Sequence, residues 1–97
     1  MKPAPLEKDI ETQVCKYAKS HGWLVYKFSS PNNRGVPDRI FITPKGSTVF
    51  VEFKRKGKMP TKLQEHVHET LKNQGCAVWV IDDVQEGKQM VYDYTRP

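Results

Sequence analysis

The fold is decided by residues 34–54, which read RGVPDRIFITPKGSTVFVEFK. Two runs rich in aromatic and branched residues, 38–43 and 48–54, flank a turn-forming segment at 44–47. This arrangement predicts an antiparallel hairpin. Both strands place apolar residues on both of their faces, so we expect the hairpin to be covered on both sides, by a helix on each.

The N-terminal part predicts a helix, a strand and a loop. A helix is indicated by apolar residues that recur at helical spacing, namely Leu6, Ile10, Val14, Tyr17 and Ala18. His21 and Gly22 are expected to end it, since glycine commonly terminates helices. Residues 23–28 are typical of a strand, and the turn-forming residues at 29–35 predict a loop.

The C-terminal part predicts a second helix followed by a strand. Thr61 and Gln64 have the spacing of a capping box, so this helix should open there and run to about Asn73. A buried strand, a polar turn and an optional short edge strand are expected at 76–81, 82–88 and 90–94 respectively. The order α-β-β-β-α-β predicts an α/β fold with a mixed sheet, and the length of 97 residues predicts one domain over 1–97.

The composition indicates a globular protein, with 37% hydrophobic and 28% charged residues. No apolar run approaches the roughly 20 residues that span a bilayer. The first five residues lack the apolar segment of a signal peptide, so we expect a cytoplasmic location. Cys15 and Cys76 should then be reduced, and the lack of a CxxC pair argues against structural zinc.

Positive charge is concentrated in one part of the chain. Residues 34–62 contain eight basic and two acidic residues, a net charge of +6, whereas the whole chain carries +5. Such a patch suits a polyanion, because neutralising phosphates releases counterions. A solubilising surface would explain the charge equally well, and charge alone does not separate the two interpretations.

The two acidic residues of this segment lie where the strands of the hairpin end. If the hairpin turns at residues 45–46, Asp38 lies opposite about Phe53, and its carboxylate comes beside Glu52. Lys54 projects from the same face as Glu52, two residues further on. Adjacent carboxylates repel each other, and a divalent cation with oxygen ligands relieves the repulsion.

The pattern of Pro37-Asp38 followed by Glu52-Phe53-Lys54 resembles the signature of the PD-(D/E)xK nuclease superfamily. The segments 34–39 and 51–54, with the later Gln64, resemble its virus-type replication–repair branch, the VRR-Nuc domain. The resemblance covers almost the whole chain and is closest to the stand-alone phage and bacterial type. It implies a restriction-endonuclease-like core and roles in DNA repair and recombination.

The resemblance also implies roles for individual residues. Asp38, Glu52 and the backbone carbonyl of Phe53 would bind Mg²⁺ or Mn²⁺, which activates water and polarises the phosphate. Lys54 would stabilise the transition state electrostatically, because an ammonium beside two carboxylates stays protonated. Gln64 would position water or phosphate, although capping the second helix with Thr61 explains it nearly as well.

A glutamate in the first helix completes the family pattern at the metal or its water shell. Glu11 is the first choice, since it borders the apolar stripe, and Glu7, one turn earlier on the same flank, is the rival. His66 and His68 are two residues apart on a helix, hence on different sides, and should not share a metal. Binding to DNA is assigned to basic residues around the hairpin, namely Arg34, Arg39, Arg55, Lys56, Lys58 and Lys62.

The expected activity is that of a metal-dependent, structure-selective DNA endonuclease that leaves 5′-phosphate and 3′-hydroxyl ends. The resemblance suggests Holliday junctions as substrates, and two cuts in a four-way junction need two copies, hence a homodimer. A monomeric flap or nicking nuclease is the alternative within enzymes. A DNA-binding module without catalysis is the alternative outside them.

Overall fold

A four-stranded mixed sheet organises the chain, whose computed structural model describes residues 4–96. In chain order the elements are α1 (Glu7–Ser20), β1 (Leu24–Lys27), β2 (Arg39–Ile42), β3 (Thr48–Phe53), α2 (Lys62–Asn73), β4 (Ala77–Ile81) and α3 (Val84–Thr95). The strands lie in the order β1-β2-β3-β4, with β3 and β4 parallel and the other pairs antiparallel. The predicted α/β class with a mixed sheet flanked by helices is confirmed.

The predicted hairpin is present, with a register one residue away from the expected one. Arg39 pairs with Val51 and Ile42 with Thr48, so continuing the register places Asp38 opposite Glu52 and not Phe53. The shift arises because the turn is centred on Lys45 and closed by the bond from the Thr43 N–H to the Ser47 carbonyl, 2.9 Å. Asp38 and Glu52 therefore lie on the same face of the sheet.

The two faces of the sheet are covered by different helices. One face presents fully buried apolar side chains to α1 and α3, namely Phe41, Val49, Val51 and Phe53. Helices α1 and α3 approach so closely that a Cβ on Gly87 would clash with a methyl carbon of Val14. Helix α2 packs on the other side, against β4. Glu52 faces α2 because it alternates with Val51 and Phe53 along β3.

The segment after β4 differs from the prediction. Residues 84–95 form α3, whereas a polar turn and an edge strand were expected there. The Asp83 side chain caps this helix by accepting a hydrogen bond from the Glu86 N–H, 3.0 Å. Gly87, a residue that disfavours helices, interrupts the apolar pattern that would have indicated it. The short apolar run 90–94 is therefore the buried stripe of a helix, with Met90 and Val91 in the core.

Within residues 4–96, no helix is both long enough and apolar enough to cross a membrane. The cysteines in this part of the chain, Cys15 and Cys76, form no disulfide with each other. The start of the chain, on which the prediction of location was based, lies partly outside the described residues.

Candidate active site

The carboxylates of Asp38 and Glu52 meet at one end of the hairpin. Asp38 immediately precedes β2, and its Oδ2 accepts a hydrogen bond from the Phe53 N–H at 2.8 Å. This bond crosses from one strand to the next and holds the Asp38 side chain beside the end of β3. The hairpin thereby fixes the Asp38 carboxylate through the backbone of Phe53, the residue that follows Glu52.

Glu52 is the most enclosed of the candidate residues, with 2% of its surface exposed. Its Oε2 accepts a hydrogen bond from Nε2 of Gln64 at 3.3 Å and lies 3.6 Å from Nζ of Lys54. Its Oε1 is buried and has no hydrogen-bond partner among residues 4–96. The structure therefore brings Lys54 and Gln64 to the Glu52 carboxylate, as the sequence predicted, and leaves Oε1 of Glu52 without a hydrogen-bond partner.

Burial is the main reason why the pKa of Glu52 is raised to about 7. The negative charges of Asp38 and Glu7 raise the pKa further, while the positive charge of Lys54 lowers it. A carboxyl group with this pKa is ionised only in part at neutral pH. A cation placed between the carboxylates would offset their repulsion and favour the ionised form of Glu52.

Gln64 has both of the roles that the sequence left open. Its Oε1 accepts a hydrogen bond from the Thr61 N–H at 2.9 Å, and its own N–H donates to Oγ1 of Thr61 at 3.1 Å. This is the expected capping box at the start of α2. The other end of the same amide group contacts Glu52. The cap of the helix and the carboxylate site therefore share one side chain.

His68 is a neighbour of Glu52 that the sequence analysis did not include. It is 5% exposed, and its Nε2 lies 3.8 Å from Oε1 of Glu52. Burial, followed by the positive charges of Lys72 and Lys54, lowers the pKa of His68 and favours the neutral imidazole. The spacing of four residues from Gln64 places both side chains on one face of α2 and was the available signal. His66 is exposed, in contrast to His68, and the two residues lie on different sides of the helix.

The two glutamates of α1 have different surroundings. Oε2 of Glu11 lies 2.7 Å from Nε of Arg39, in a partly buried ion pair. The negative charge of Glu7, in contrast, contributes to the raised pKa of Glu52. The Glu11 carboxylate is therefore engaged by a basic residue of β2, whereas the charge of Glu7 acts on Glu52.

The basic residues predicted to bind DNA fall into two groups. Arg39 is held by Glu11, and Lys56 lies 3.7 Å from Asp83. The remaining four, namely Arg34, Arg55, Lys58 and Lys62, are exposed. The loop after β3 is also tied to the end of β4, where Oδ2 of Asp82 accepts a hydrogen bond from the Gly57 N–H at 3.1 Å. The exposed Arg55 and Lys58 therefore lie in a loop that this hydrogen bond holds in place.

The donor set suits a cation that retains most of its water. Across residues 4–96, no group of three or more His, Cys, Asp or Glu side chains is arranged to hold a metal ion. Asp38 and Glu52 supply two carboxylates, and one buried carboxylate oxygen lacks a partner. Mg²⁺ is commonly bound by one or two carboxylates, with water and substrate phosphate completing its shell. The residues present therefore fit such a cation.

Comparison with known proteins identifies the family. A protein of Acyrthosiphon pisum secondary endosymbiont phage 1, named "Putative nuclease p44", is 41% identical over 76 residues, which are 78% of this chain and 82% of that protein. A solved structure described as a VRR_NUC domain has a TM-score of 0.84 and 27% identity, covering 91% of this chain and 96% of that one. No family model matches the sequence.

The mixed sheet flanked by helices, together with these similarities, defines an α/β enzyme of the nuclease class. The chain belongs to the VRR-Nuc family of nucleases, which hydrolyse DNA.

The raised pKa of Glu52 predicts a stability that depends on pH when no divalent cation is bound. Because the pKa of Glu52 is raised from its ordinary value of 4.5 to about 7 in the folded state, the folded state holds the proton more tightly than the unfolded state. Stability should fall as pH rises through this window, by on the order of 3 kcal/mol for the shift. Glu52→Gln removes the titrating group, so it should stabilise the protein relative to wild type at pH 8 and have little effect at pH 4.5.

Urea unfolding in the presence of a chelator at the two pH values measures this difference. Glu69→Gln is the matched control, since Glu69 lies on the exposed surface of α2. Equal effects of the Glu52 substitution at both pH values would contradict the assignment of the raised pKa.

Proposed function

We propose that this nuclease is a metal-dependent DNA endonuclease that hydrolyses phosphodiester bonds to 5′-phosphate and 3′-hydroxyl ends. The observation that carries the proposal is the buried Glu52 carboxylate, which lies beside Asp38, has one oxygen without a partner, and has a pKa raised to about 7. A carboxylate buried in this way serves binding of DNA poorly, because it repels phosphates. It serves binding of a cation well.

The proposed ligands are Asp38, Glu52 and the backbone carbonyl of Phe53. They would hold Mg²⁺ or Mn²⁺, which supplies charge neutralisation at the phosphate and a more acidic bound water. The hydrogen bond from the Phe53 N–H to Oδ2 of Asp38 supports this set, because it keeps the Asp38 carboxylate directed toward the end of β3. One oxygen of that carboxylate is used by the backbone, which leaves the other available.

Lys54 and Gln64 act on the substrate side of the proposed mechanism. The ammonium group of Lys54, which is 7% exposed, would offset negative charge that develops on the phosphate in the transition state. Gln64 would orient water or phosphate while holding Oε2 of Glu52. Both side chains are fixed by their contacts with Glu52, so they would need little reorganisation when substrate arrives.

Glu7 replaces Glu11 as the preferred glutamate of α1 at the metal or its water shell. The charge of Glu7 acts on Glu52, while the Glu11 carboxylate is engaged by Arg39. In this proposal Glu11 has a supporting role, since it fixes Arg39 at the start of β2, next to Asp38.

The exposed basic residues, Arg34, Arg55, Lys58 and Lys62, with Lys56 and Arg39, are proposed to bind DNA phosphates around the site. We further propose that residues 1–97 form one nuclease domain that acts in the cytoplasm of a bacterial or phage-infected cell, in DNA repair or recombination. Its preferred substrate would be a Holliday junction. A homodimer with two-fold symmetry would present two sites to the two strands that are cut.

Loss of either carboxylate should separate cleavage from binding. Asp38→Asn and Glu52→Gln each remove a proposed metal ligand together with a negative charge that faces phosphate. Cleavage in Mn²⁺ should therefore fall by more than the roughly 10- to 100-fold that the loss of a residue supporting a ligand costs. Affinity for DNA should stay equal or rise. Cleavage and gel-shift assays measure the two quantities, and Asp93→Asn, on the exposed side of α3, is the control. Normal cleavage by either variant would refute the proposed metal site.

The glutamates of α1 should differ in their effect on the cation. Glu7→Gln should weaken Mn²⁺ binding, measured by calorimetry without DNA, because it removes negative charge near the carboxylates. Glu11→Gln should leave Mn²⁺ affinity nearly unchanged and lower thermal stability, because the ion pair with Arg39 is lost. The opposite pattern would restore Glu11 as the residue at the metal.

Substrate choice and oligomeric state are best measured together. Junctions should be cut faster than linear duplex or flaps, with paired nicks at symmetric positions, by a protein whose mass in light scattering is twice that of the chain. A protein that remains a monomer while cutting junctions would refute the homodimer and favour the flap or nicking nuclease. Binding without any cleavage in Mg²⁺ or Mn²⁺ would favour the DNA-binding module.

A further inference from the structure

Two buried polar atoms face each other beside the carboxylate pair. Oε1 of Glu52 and Nε2 of His68 each lack a hydrogen-bond partner in the described part of the chain, and 3.8 Å separates them. A buried polar atom without a partner is unfavourable, because it has lost its hydrogen bonds to water. Native interiors satisfy nearly all such groups. A shift of roughly 0.8 Å would bring this pair to hydrogen-bond distance and satisfy both atoms at once.

We propose that His68 is a positioning residue, which donates its Nε2–H to one lone pair of Oε1 of Glu52, leaves the other lone pair for the cation, and so fixes the orientation of that carboxylate. This inference rests on the proposed metal-dependent function and adds a residue to it. It concerns geometry and does not depend on a change of protonation, since Nε2 carries a hydrogen in one neutral tautomer and in the imidazolium ion.

The arrangement on α2 supports this role. Gln64 and His68 are four residues apart, and they address different oxygens of the same carboxylate, Oε2 and Oε1 respectively. One rigid helix therefore holds the carboxylate from two points. Partners that orient a ligand in this way are a general feature of metal sites, and their loss weakens metal binding about 10- to 100-fold.

Direct binding of the cation by His68 is less well supported. Mg²⁺ and Mn²⁺ favour oxygen ligands. Across residues 4–96, no cluster of three metal-binding side chains includes the histidine. The imidazole also forms part of the wall of an open pocket of about 500 Å³ with Lys58 and Val80, so it lies between that pocket and Glu52. This position suits a side chain that supports the carboxylate from behind.

The hydrogen bond can be tested without any metal. Nitrogen-15 spectra of the histidine ring in the metal-free protein should show a hydrogen on Nε2 that exchanges slowly with water. Its chemical shift should move in Glu52→Ala, which removes the acceptor. A ring protonated only at Nδ1, or an Nε2 signal that Glu52→Ala leaves unchanged, would overturn the inference.

The effect on the cation is tested by calorimetry with Mn²⁺ in the absence of DNA. His68→Leu keeps volume but removes the donor, so the dissociation constant should rise about 10- to 100-fold. His68→Gln supplies an amide N–H and should recover most of the affinity. His66→Leu, on the exposed side of the same helix, is the matched control and should bind as wild type. Circular dichroism confirms that each variant is folded.

The remaining outcomes separate this inference from the function on which it rests. Wild-type affinity in His68→Leu would overturn the positioning role. Coupling between Mn²⁺ and an imidazole nitrogen in electron-spin-echo spectra would also overturn it, since it would make His68 a ligand. Lack of Mn²⁺ binding by the wild-type chain would contradict the proposed function, while the nitrogen-15 spectra would still decide whether the hydrogen bond exists.

Discussion

The site depends on one unfavourable interaction, the burial of the Glu52 carboxylate beside a second carboxylate. Its pKa is raised to about 7 because it is removed from water and faces the charges of Asp38 and Glu7. Lys54 and a hydrogen bond from Gln64 compensate only in part. The burial of this carboxylate therefore lowers the stability of the protein at its candidate active site. Such an arrangement is typical of sites that bind or react.

The fold maintains this arrangement from two sides of Glu52. The hairpin register sets Asp38 opposite Glu52, and a backbone hydrogen bond from Phe53 prevents the Asp38 carboxylate from turning away. On the same strand, Val51 and Phe53 are fully buried under α1 and α3, so β3 cannot move to relieve the repulsion without disrupting the core. The apolar packing on one face of β3 therefore holds Glu52 in place on the other face.

The sequence was sufficient for features that follow from local patterns. Two runs of aromatic and branched residues around a turn predicted the hairpin, and the capping-box spacing predicted the start of α2, as the structure shows. Tertiary contacts decided the rest. Helix α3 was not predicted, because Gly87 disfavours a helix and the close contact with Val14 that requires glycine cannot be seen in the sequence. His68 was missed because its partner is sixteen residues away on another element, and the register shifted with the centre of the turn.

The two contacts of Gln64 explain why an amide, and not a carboxylate, stands at this position. A capping box accepts either Gln or Glu at its third residue, since only an acceptor for the Thr61 N–H is needed. Because Oε1 of Gln64 accepts that bond, its Nε2 must face Glu52, so the cap also fixes which end of the amide meets the carboxylate. Glutamate would cap the helix equally well, but it would bring a third negative charge to a carboxyl group whose pKa is already raised. The local requirement of the helix leaves two residues open, and the electrostatics of the site favour glutamine.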